Sequence, residues 1–182
     1  MSTVLVRPEH QNEVAASRQV AAEAFGGERV PLLLDAMRAD HAWLGLSFVA
    51  FEQPGSREVV GFACYTRGWV DAPTRLVEVL VLSPVCVRPD RQRCGVGAVL
   101  VHQSLEQLAE RPEPLVFLEG GPSYYSRLGF VAARRWGFTS PSVRIPEPAF
   151  QARRLPAYDA SLTGALVYPD VFWRHDAVGL RS

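Results

Sequence analysis

The sequence predicts a single domain of the α/β class. Apolar, strand-like stretches alternate along the chain with stretches of helical periodicity. The stretch Leu76–Val87 is almost entirely apolar, which is typical of a strand covered on both faces at the centre of a sheet. The chain has 182 residues, of which 48% are hydrophobic. A chain of this length buries roughly two thirds of its unfolded surface, so one substantial core is expected.

The elements that precede this central strand are predicted from apolar periodicity and from the residues that interrupt it. Val14, Ala21 and Phe25 fall near one face of a helix, and Gly26 with Gly27 ends that helix. The predicted elements are a strand over Thr3–Arg7, helices over 9–25 and 29–40, and strands over Leu46–Glu52, Glu58–Trp69 and Leu76–Val87.

After the central strand, the apolar period changes to that of an amphipathic helix, which Pro112 ends. The elements that follow are separated by turns rich in proline. The predicted elements are a helix over Gly95–Glu110, a strand over Leu115–Leu118, a short helix over Ser123–Leu128, and weaker strands over Arg134–Thr139, Phe150–Leu155 and Thr163–Tyr168.

The charge balance argues against nucleic acid as a partner. The chain carries 19 basic and 19 acidic residues, a formal net charge of zero. A nucleic-acid-binding protein normally needs a basic surplus to displace counterions. Every basic residue here is arginine, which excludes mechanisms that use a lysine base or a lysine Schiff base.

The cysteines and the apolar segments bear on metal binding and on location. Cys64, Cys86 and Cys94 are odd in number and lack metal-ligand spacing, and the histidines show no ligand spacing either. We therefore predict reduced thiols and no metal. The first residues lack the pattern of a secretory signal, and the longest apolar run is too short to span a bilayer. These features predict a cytoplasmic protein without a membrane segment.

The turn between the central strand and the following helix has the composition of an anion-binding site. It reads Gln92-x-x-Gly95-x-Gly97. The first amides of a helix lack carbonyl partners and carry the positive end of the helix dipole, and glycine lets a phosphate approach them. The absence of lysine excludes a Walker loop, and Val99 and Leu100 occupy the place of the third Rossmann glycine. A pair of ordinary turn glycines is the alternative.

A second motif, Tyr125-x-x-x-Gly129-Phe130, follows in the chain. Together the two motifs resemble the pyrophosphate-binding and tyrosine motifs of the GNAT superfamily of acyl-CoA-dependent N-acyltransferases. The tail resembles a bacterial-type branch described as predicted N-acetyltransferases. The resemblance implies one GNAT domain over 1–182, with a core over 3–138 and an extension over 139–182. It also implies a mixed, mostly antiparallel sheet that is splayed at its centre and flanked by helices.

The resemblance implies acetyl-CoA as the cofactor, held largely by backbone groups. Ser83–Pro84 is expected to form a bulge, because proline cannot donate to the ladder, with a kinked or edge strand as the alternative. Beyond it, the backbone of Val85 and Val87, with Cys86 between them, would bind the pantetheine amides. Gln92 would be the polar anchor of the pyrophosphate loop. The amide donors of that loop would be those of Arg93, Cys94, Gly95, Val96, Gly97 and Ala98.

Three residues are candidates for catalysis. By resemblance, Tyr125 would donate a proton to the leaving thiolate, and its spacing before Gly129 selects it over Tyr124. A core tyrosine hydrogen-bonded to the backbone is the alternative. Glu78 in the central strand and Glu119 at the end of the next strand are the candidate bases, because a buried carboxylate has a raised pKa. Either glutamate could instead pair with an arginine, and a water chain could replace both.

One departure from the family pattern bears on activity. Relatives of this branch often have Gly-Asp-Pro before the tyrosines, whereas this chain has Gly120-Gly121-Pro122. The prediction is an N-acetyltransferase that acts on a primary amine of a small molecule or peptide in a ternary complex. A catalytically idle acyl-CoA sensor or regulatory module is the alternative, and a nucleotide-binding protein unrelated to CoA is a third. A homodimer is common on this fold, but no interface is evident in the sequence.

Overall fold

The computed structural model describes residues 4–179, and these contain nine strands and five α-helices. The strands are β1 (Leu5–Pro8), β2 (Trp43–Phe51), β3 (Gly61–Ala72), β4 (Arg75–Val87), β5 (Leu115–Glu119), β6 (Val131–Ala132), β7 (Phe138–Thr139), β8 (Phe150–Arg154) and β9 (Gly164–Val167). The helices are α1 (Val14–Phe25), α2 (Arg29–Arg38), α3 (Val96–Glu106), α4 (Pro122–Tyr125) and α5 (Asp170–Arg174). The strands pair mostly antiparallel, so the predicted mixed α/β class is confirmed.

The described residues form two compact units, and β3 and β4 each contribute to both. Residues 4–65 and 83–108 make up the first unit. Its strand order is β1-β2-β3-β4, and β1 runs antiparallel to β2 with Leu5 opposite Phe51. Helix α1 packs on α2, and α3 packs on β1 and β2. This unit therefore holds the end of β4 and the start of α3, the segment in which the first motif lies.

A buried hydrogen bond and an apolar face fix α3 in the first unit. Leu100, Val101 and Leu105 of α3 are buried, which follows from the apolar stripe that the sequence shows. The hydroxyl groups of Tyr65 and Ser104 are 2.7 Å apart and both residues are fully buried. Because unpaired buried hydroxyls are costly, this bond favours one placement of the helix on β3.

Residues 66–82 and 109–179 make up the second unit. Here β5 pairs parallel with β4 and antiparallel with β8, which in turn pairs with β6. Strand β9 runs antiparallel to β3 and parallel to β7. Within the described residues, the parallel pairing of β4 with β5 covers only Leu80 and Val81, opposite Val116 and Phe117. Helix α4 directly follows β5, which places the second motif at the end of a buried strand.

Several predicted elements differ from the observed ones. The predicted strand Arg134–Thr139 is wrong over most of its length, because Ala133–Trp136 is a 3-10 helix that Gly137 ends in the left-handed region at φ 80°. Helix α5 lies where no helix was predicted. The central strand is covered on both faces only from Val79 onward, since Leu76 is 61% exposed. The predicted start at Thr3 lies outside the described residues.

The described chain has no helix with the length and apolar character to cross a membrane.

Strand β4 continues through Ser83–Pro84, whose peptide bond is cis.

Candidate functional site

The first motif forms a tight loop between β4 and α3 in the first unit. A 3-10 turn over Pro89–Arg91 leads into the loop, and α3 begins at Val96. Gly95 is the N-cap residue, with φ of 87°, a conformation that favours glycine. Among residues 4–179, no side chain caps this helix, so its first amides are left for water or a ligand. An uncapped helix start of this kind can bind an anion.

Gln92 closes the loop onto the strand that precedes it. Its Nε2 donates a hydrogen bond of 3.0 Å to the carbonyl oxygen of Val87. Arg93, directly after it, has φ of 61°, which is uncommon for a residue with a side chain. The loop is thus held in shape by a side-chain bond at its start and by two left-handed residues at its bend, Arg93 and Gly95.

Two of the three arginines near the loop are engaged by acidic side chains. Arg88 pairs with Glu58 and Asp90, and Arg91 pairs with Glu52 at 2.6 Å and with Asp90 at 2.9 Å. Arg88 donates a hydrogen bond to the Glu58 carboxylate and Arg91 donates one to the Glu52 carboxylate, and these bonds raise the pKa of both guanidinium groups.

Arg93 is exposed and forms no ion pair within the described part of the chain. Its charge is therefore available to a ligand at the loop, whereas the charges of Arg88 and Arg91 are largely balanced.

The three residues at the end of β4 alternate in exposure, as a strand requires. Val85 and Val87 are half-buried, whereas Cys86 is buried and burial raises the pKa of its thiol to about 12. The Cys86 thiol is thus protonated at neutral pH and is no nucleophile. Cys94, by contrast, is exposed in the loop, where its Sγ lies 3.4 Å from the carbonyl oxygen of Gln92.

The second motif forms a helical turn in the second unit. Tyr125 ends α4, and its half-buried ring makes edge contacts with the rings of Tyr124 at 4.9 Å and Phe130 at 5.8 Å. The amide of Phe130 donates to the carbonyl oxygen of Tyr125 at 3.2 Å, and Gly129 turns the chain with φ of 81°. The spacing of the motif thus reflects a short helix, a left-handed glycine and an aromatic residue that packs back on the tyrosine.

The two candidate bases have different surroundings in the second unit. Glu119 is half-buried, and its Oε2 accepts a hydrogen bond of 3.0 Å from the amide of Gly179. Burial raises the pKa of Glu119, and this effect is opposed by hydrogen bonds from Gly179 and from the Tyr168 hydroxyl and by the charge of Arg144. The Tyr168 hydroxyl stays protonated, because burial raises its own pKa far above the ordinary value.

The burial expected for Glu78 is wrong. Its side chain is 41% exposed and lies 2.9 Å from Nε of Arg67, because β4 is still uncovered at this point. The structure therefore buries much of the Glu119 carboxylate, which raises its pKa, and leaves the Glu78 side chain exposed beside Arg67.

A model of the GNAT acetyltransferase domain matches residues 4–133 of this chain, which is more than half of it. The chain belongs to the GNAT acetyltransferase family. Every site residue predicted from the sequence, from Glu78 to Tyr125, lies within the matched residues of this GNAT chain.

Relatives of this GNAT chain match it over most of its length. It is 29% identical over 163 residues to YjhQ of Escherichia coli (strain K12), an uncharacterised N-acetyltransferase, covering 85% of this chain and 86% of that protein. It resembles the crystal structure of the GNAT family N-acetyltransferase YhbS from Escherichia coli in complex with CoA, with a TM-score of 0.84 and 25% identity over 100% of this chain and 97% of that one. It also resembles a GNAT family acetyltransferase from Brucella melitensis in complex with acetyl-CoA, with a TM-score of 0.72 and 26% identity over 94% and 99% of the two chains.

Proposed function

We propose that this GNAT protein transfers the acetyl group of acetyl-CoA to a primary amine by direct attack in a ternary complex. The observation that carries the proposal is the loop before α3, in which Gly95 leaves the first amides of the helix uncapped by any described side chain. Anions bind well at such a helix start. Two structures that resemble this chain, from Escherichia coli and Brucella melitensis, contain CoA and acetyl-CoA, which supports the same cofactor here.

The cofactor would be bound mainly by groups of the first unit. The backbone of Val85 and Val87, on either side of Cys86, would bind the pantetheine amides. The amide groups of the loop would bind the pyrophosphate, with Gln92 keeping the loop closed. The donors in this proposal are the amides of Arg93, Cys94, Gly95, Val96, Gly97 and Ala98.

The reaction needs one proton acceptor and one proton donor. The acceptor amine arrives as an ammonium ion and must lose a proton before its nitrogen attacks the acetyl carbonyl carbon. The tetrahedral intermediate then loses a second proton from its nitrogen to solvent and breaks its bond to sulfur, and the sulfur takes a proton as it leaves as the CoA thiol. Tyr125 would donate that proton through its phenol and regain one from solvent.

Glu119 is the favoured proton acceptor. A carboxylate with a raised pKa is better matched to proton removal near neutral pH than one with an ordinary pKa. The Tyr168 hydroxyl and the Gly179 amide donate hydrogen bonds that favour the ionised form of Glu119, and the ionised carboxylate is the form that can accept a proton. Glu78 is the second candidate, although its side chain is exposed and forms an ion pair with Arg67.

A thiol-release assay tests the proposed activity. We would incubate the protein with acetyl-CoA and a panel of primary amines that includes polyamines, amino acids, aminoglycosides and peptides with free N-termini. Release of CoA that depends on the amine, with acetylated amine found by mass spectrometry, is the expected result. CoA binding without turnover on any member of the panel would favour the idle sensor or regulatory module, to which the Gly121 departure points.

Replacement of the two candidate bases distinguishes them by pH dependence. With Glu119 as the base, kcat/KM should rise with pH along a limb that lies above the ordinary glutamate pKa of 4.5, because burial raises the pKa of Glu119. Glu119→Gln should lower kcat/KM about 100-fold and remove this limb. The amide oxygen of glutamine can still accept the hydrogen bond of Gly179, so the fold should persist.

Glu78→Gln is the matched control, and it should leave both the rate and the limb unchanged. The opposite pattern would assign proton removal to Glu78. Full activity of both variants would assign it to water.

A further inference from the structure

Gly120 lies directly against the ring of Tyr125. A Cβ atom built on Gly120 would be 2.7 Å from Cδ2 of Tyr125 and closer still to Cε2. Real Cβ atoms essentially never come so near to other heavy atoms. The ring in its observed place and any side chain at position 120 therefore exclude each other.

The backbone of Gly120 is held from two sides. Its amide donates to the carbonyl oxygen of Ala149 at 3.0 Å. Its carbonyl oxygen accepts a hydrogen bond of 3.0 Å from Nε2 of Gln151, whose side chain is only 1% exposed. Gln151 in turn belongs to β8, opposite Leu118 of β5. A buried amide that is satisfied in this way holds its partner firmly, because losing the bond would leave a buried polar group unpaired.

The neighbouring residue, Gly121, has room for a side chain. Gly121 has φ of −64° and ψ of 117°, which residues with side chains adopt readily before proline. A Cβ atom on Gly121 would meet no atom within 4 Å. The backbone of Gly120 is likewise outside the left-handed region, so alanine there is opposed by the tyrosine ring and not by backbone strain.

We propose that Gly120, fixed by Gln151, is a positioning residue that sets the place of the Tyr125 ring and hence of its phenol. The proposal rests on the proposed role of Tyr125 as the proton donor. On this account the absence of a side chain at position 120 is a requirement of catalysis, whereas the glycine at position 121 is not.

The ring position can be measured without any substrate. The five tyrosines would be replaced with 3-fluorotyrosine, and the 19F resonance of Tyr125 would be assigned from its loss in Tyr125→Phe. Gly120→Ala should shift this resonance, and Gly121→Ala should leave it in place. An unchanged resonance in Gly120→Ala would overturn the proposal.

The activity arm uses the amine that gives the highest rate in the panel. Gly120→Ala should lower kcat about 10- to 100-fold with little change in KM for acetyl-CoA, since misplacement of a reacting group costs this much. Gly121→Ala should keep the wild-type kcat. In a Tyr125→Phe background, Gly120→Ala should have no further effect on kcat. An equal fall in both backgrounds would show that Gly120 acts through something other than the phenol and would overturn the proposal.

A second substitution tests whether a folding defect of Gly120→Ala comes from the clash with the Tyr125 ring. If Gly120→Ala does not fold, adding Tyr125→Ala should restore folding, because it removes the ring that the new methyl group meets. Failure of the double variant to fold would overturn the proposal. The proposed role of Tyr125 as proton donor fails separately, namely if Tyr125→Phe keeps full activity while the fluorine shift in Gly120→Ala is still seen, and the proposed acetyl transfer fails only if no amine of the panel releases CoA.

Discussion

Tyr125→Phe is expected to lower kcat about 100- to 10,000-fold, the range that a positioned general acid contributes. The substitution removes only the hydroxyl group, so the edge contacts of the ring with Tyr124 and Phe130 stay in place. The pyrophosphate loop is built from other residues, and KM for acetyl-CoA should change little. Initial rates over a range of acetyl-CoA concentrations, with thermal unfolding measured in parallel, check both expectations.

Tyr124→Phe is the matched control for this loss. Tyr124 is the neighbouring residue, carries the same phenol and is 40% exposed. It should keep the wild-type kcat. Equal activity of Tyr125→Phe and the wild type would remove Tyr125 from the mechanism, and a comparable loss in both variants would indicate a general requirement for the aromatic pair.

Gly97→Glu should weaken binding of CoA about a thousandfold while leaving the fold intact. Gly97 is the second residue of α3, where the proposed pyrophosphate approaches the helix amides. A carboxylate about 4 Å from a phosphate charge is repelled by about 4 kcal/mol at an effective dielectric constant of 20, roughly a thousandfold in Kd. The side chain also fills space that the ligand needs. Isothermal titration calorimetry with CoA measures the loss.

Gly97→Glu should be at least as stable as the wild type, although it binds CoA less tightly. Glutamate is a better helix former than glycine by about 1 kcal/mol, and its charge complements the helix N-terminus. Tm should therefore equal or exceed that of the wild type. Gln103→Glu adds the same charge further along α3 and should bind CoA normally. Undiminished CoA binding by Gly97→Glu would place the pyrophosphate elsewhere.

The loop and the tyrosine turn could be predicted from the sequence because their signals are local. Gly95 and Gly129 stand at left-handed positions that few other residues favour, and each is followed closely by residues that fit the next element. The strand predicted over Arg134–Thr139 was wrong because a left-handed glycine was read differently there. Gly137 also takes a left-handed turn there, and it ends a 3-10 helix instead of interrupting a strand.

Features that depend on distant residues were not visible in the sequence. The exposure of Glu78 reflects how far the neighbouring strand extends along β4, which no local pattern reports. The partner of Glu119, Tyr168, follows β9 and carries no motif. Gln151 resembles any polar residue at a strand position, although its amide is buried against Gly120. Such contacts join residues that are far apart in the chain, so only the folded structure brings them to light.

Because the start of α3 is uncapped, most amino-acid substitutions in the loop before it should leave CoA binding intact. The groups that would grip the cofactor belong to the peptide chain, and every residue type except proline supplies them. Single replacements by alanine at Cys94 and Val96 would leave all of these donors in place, so an alanine scan of these two positions would change CoA affinity little. CoA binding should be lost only when proline removes an amide donor or when a new side chain fills the space of the pyrophosphate.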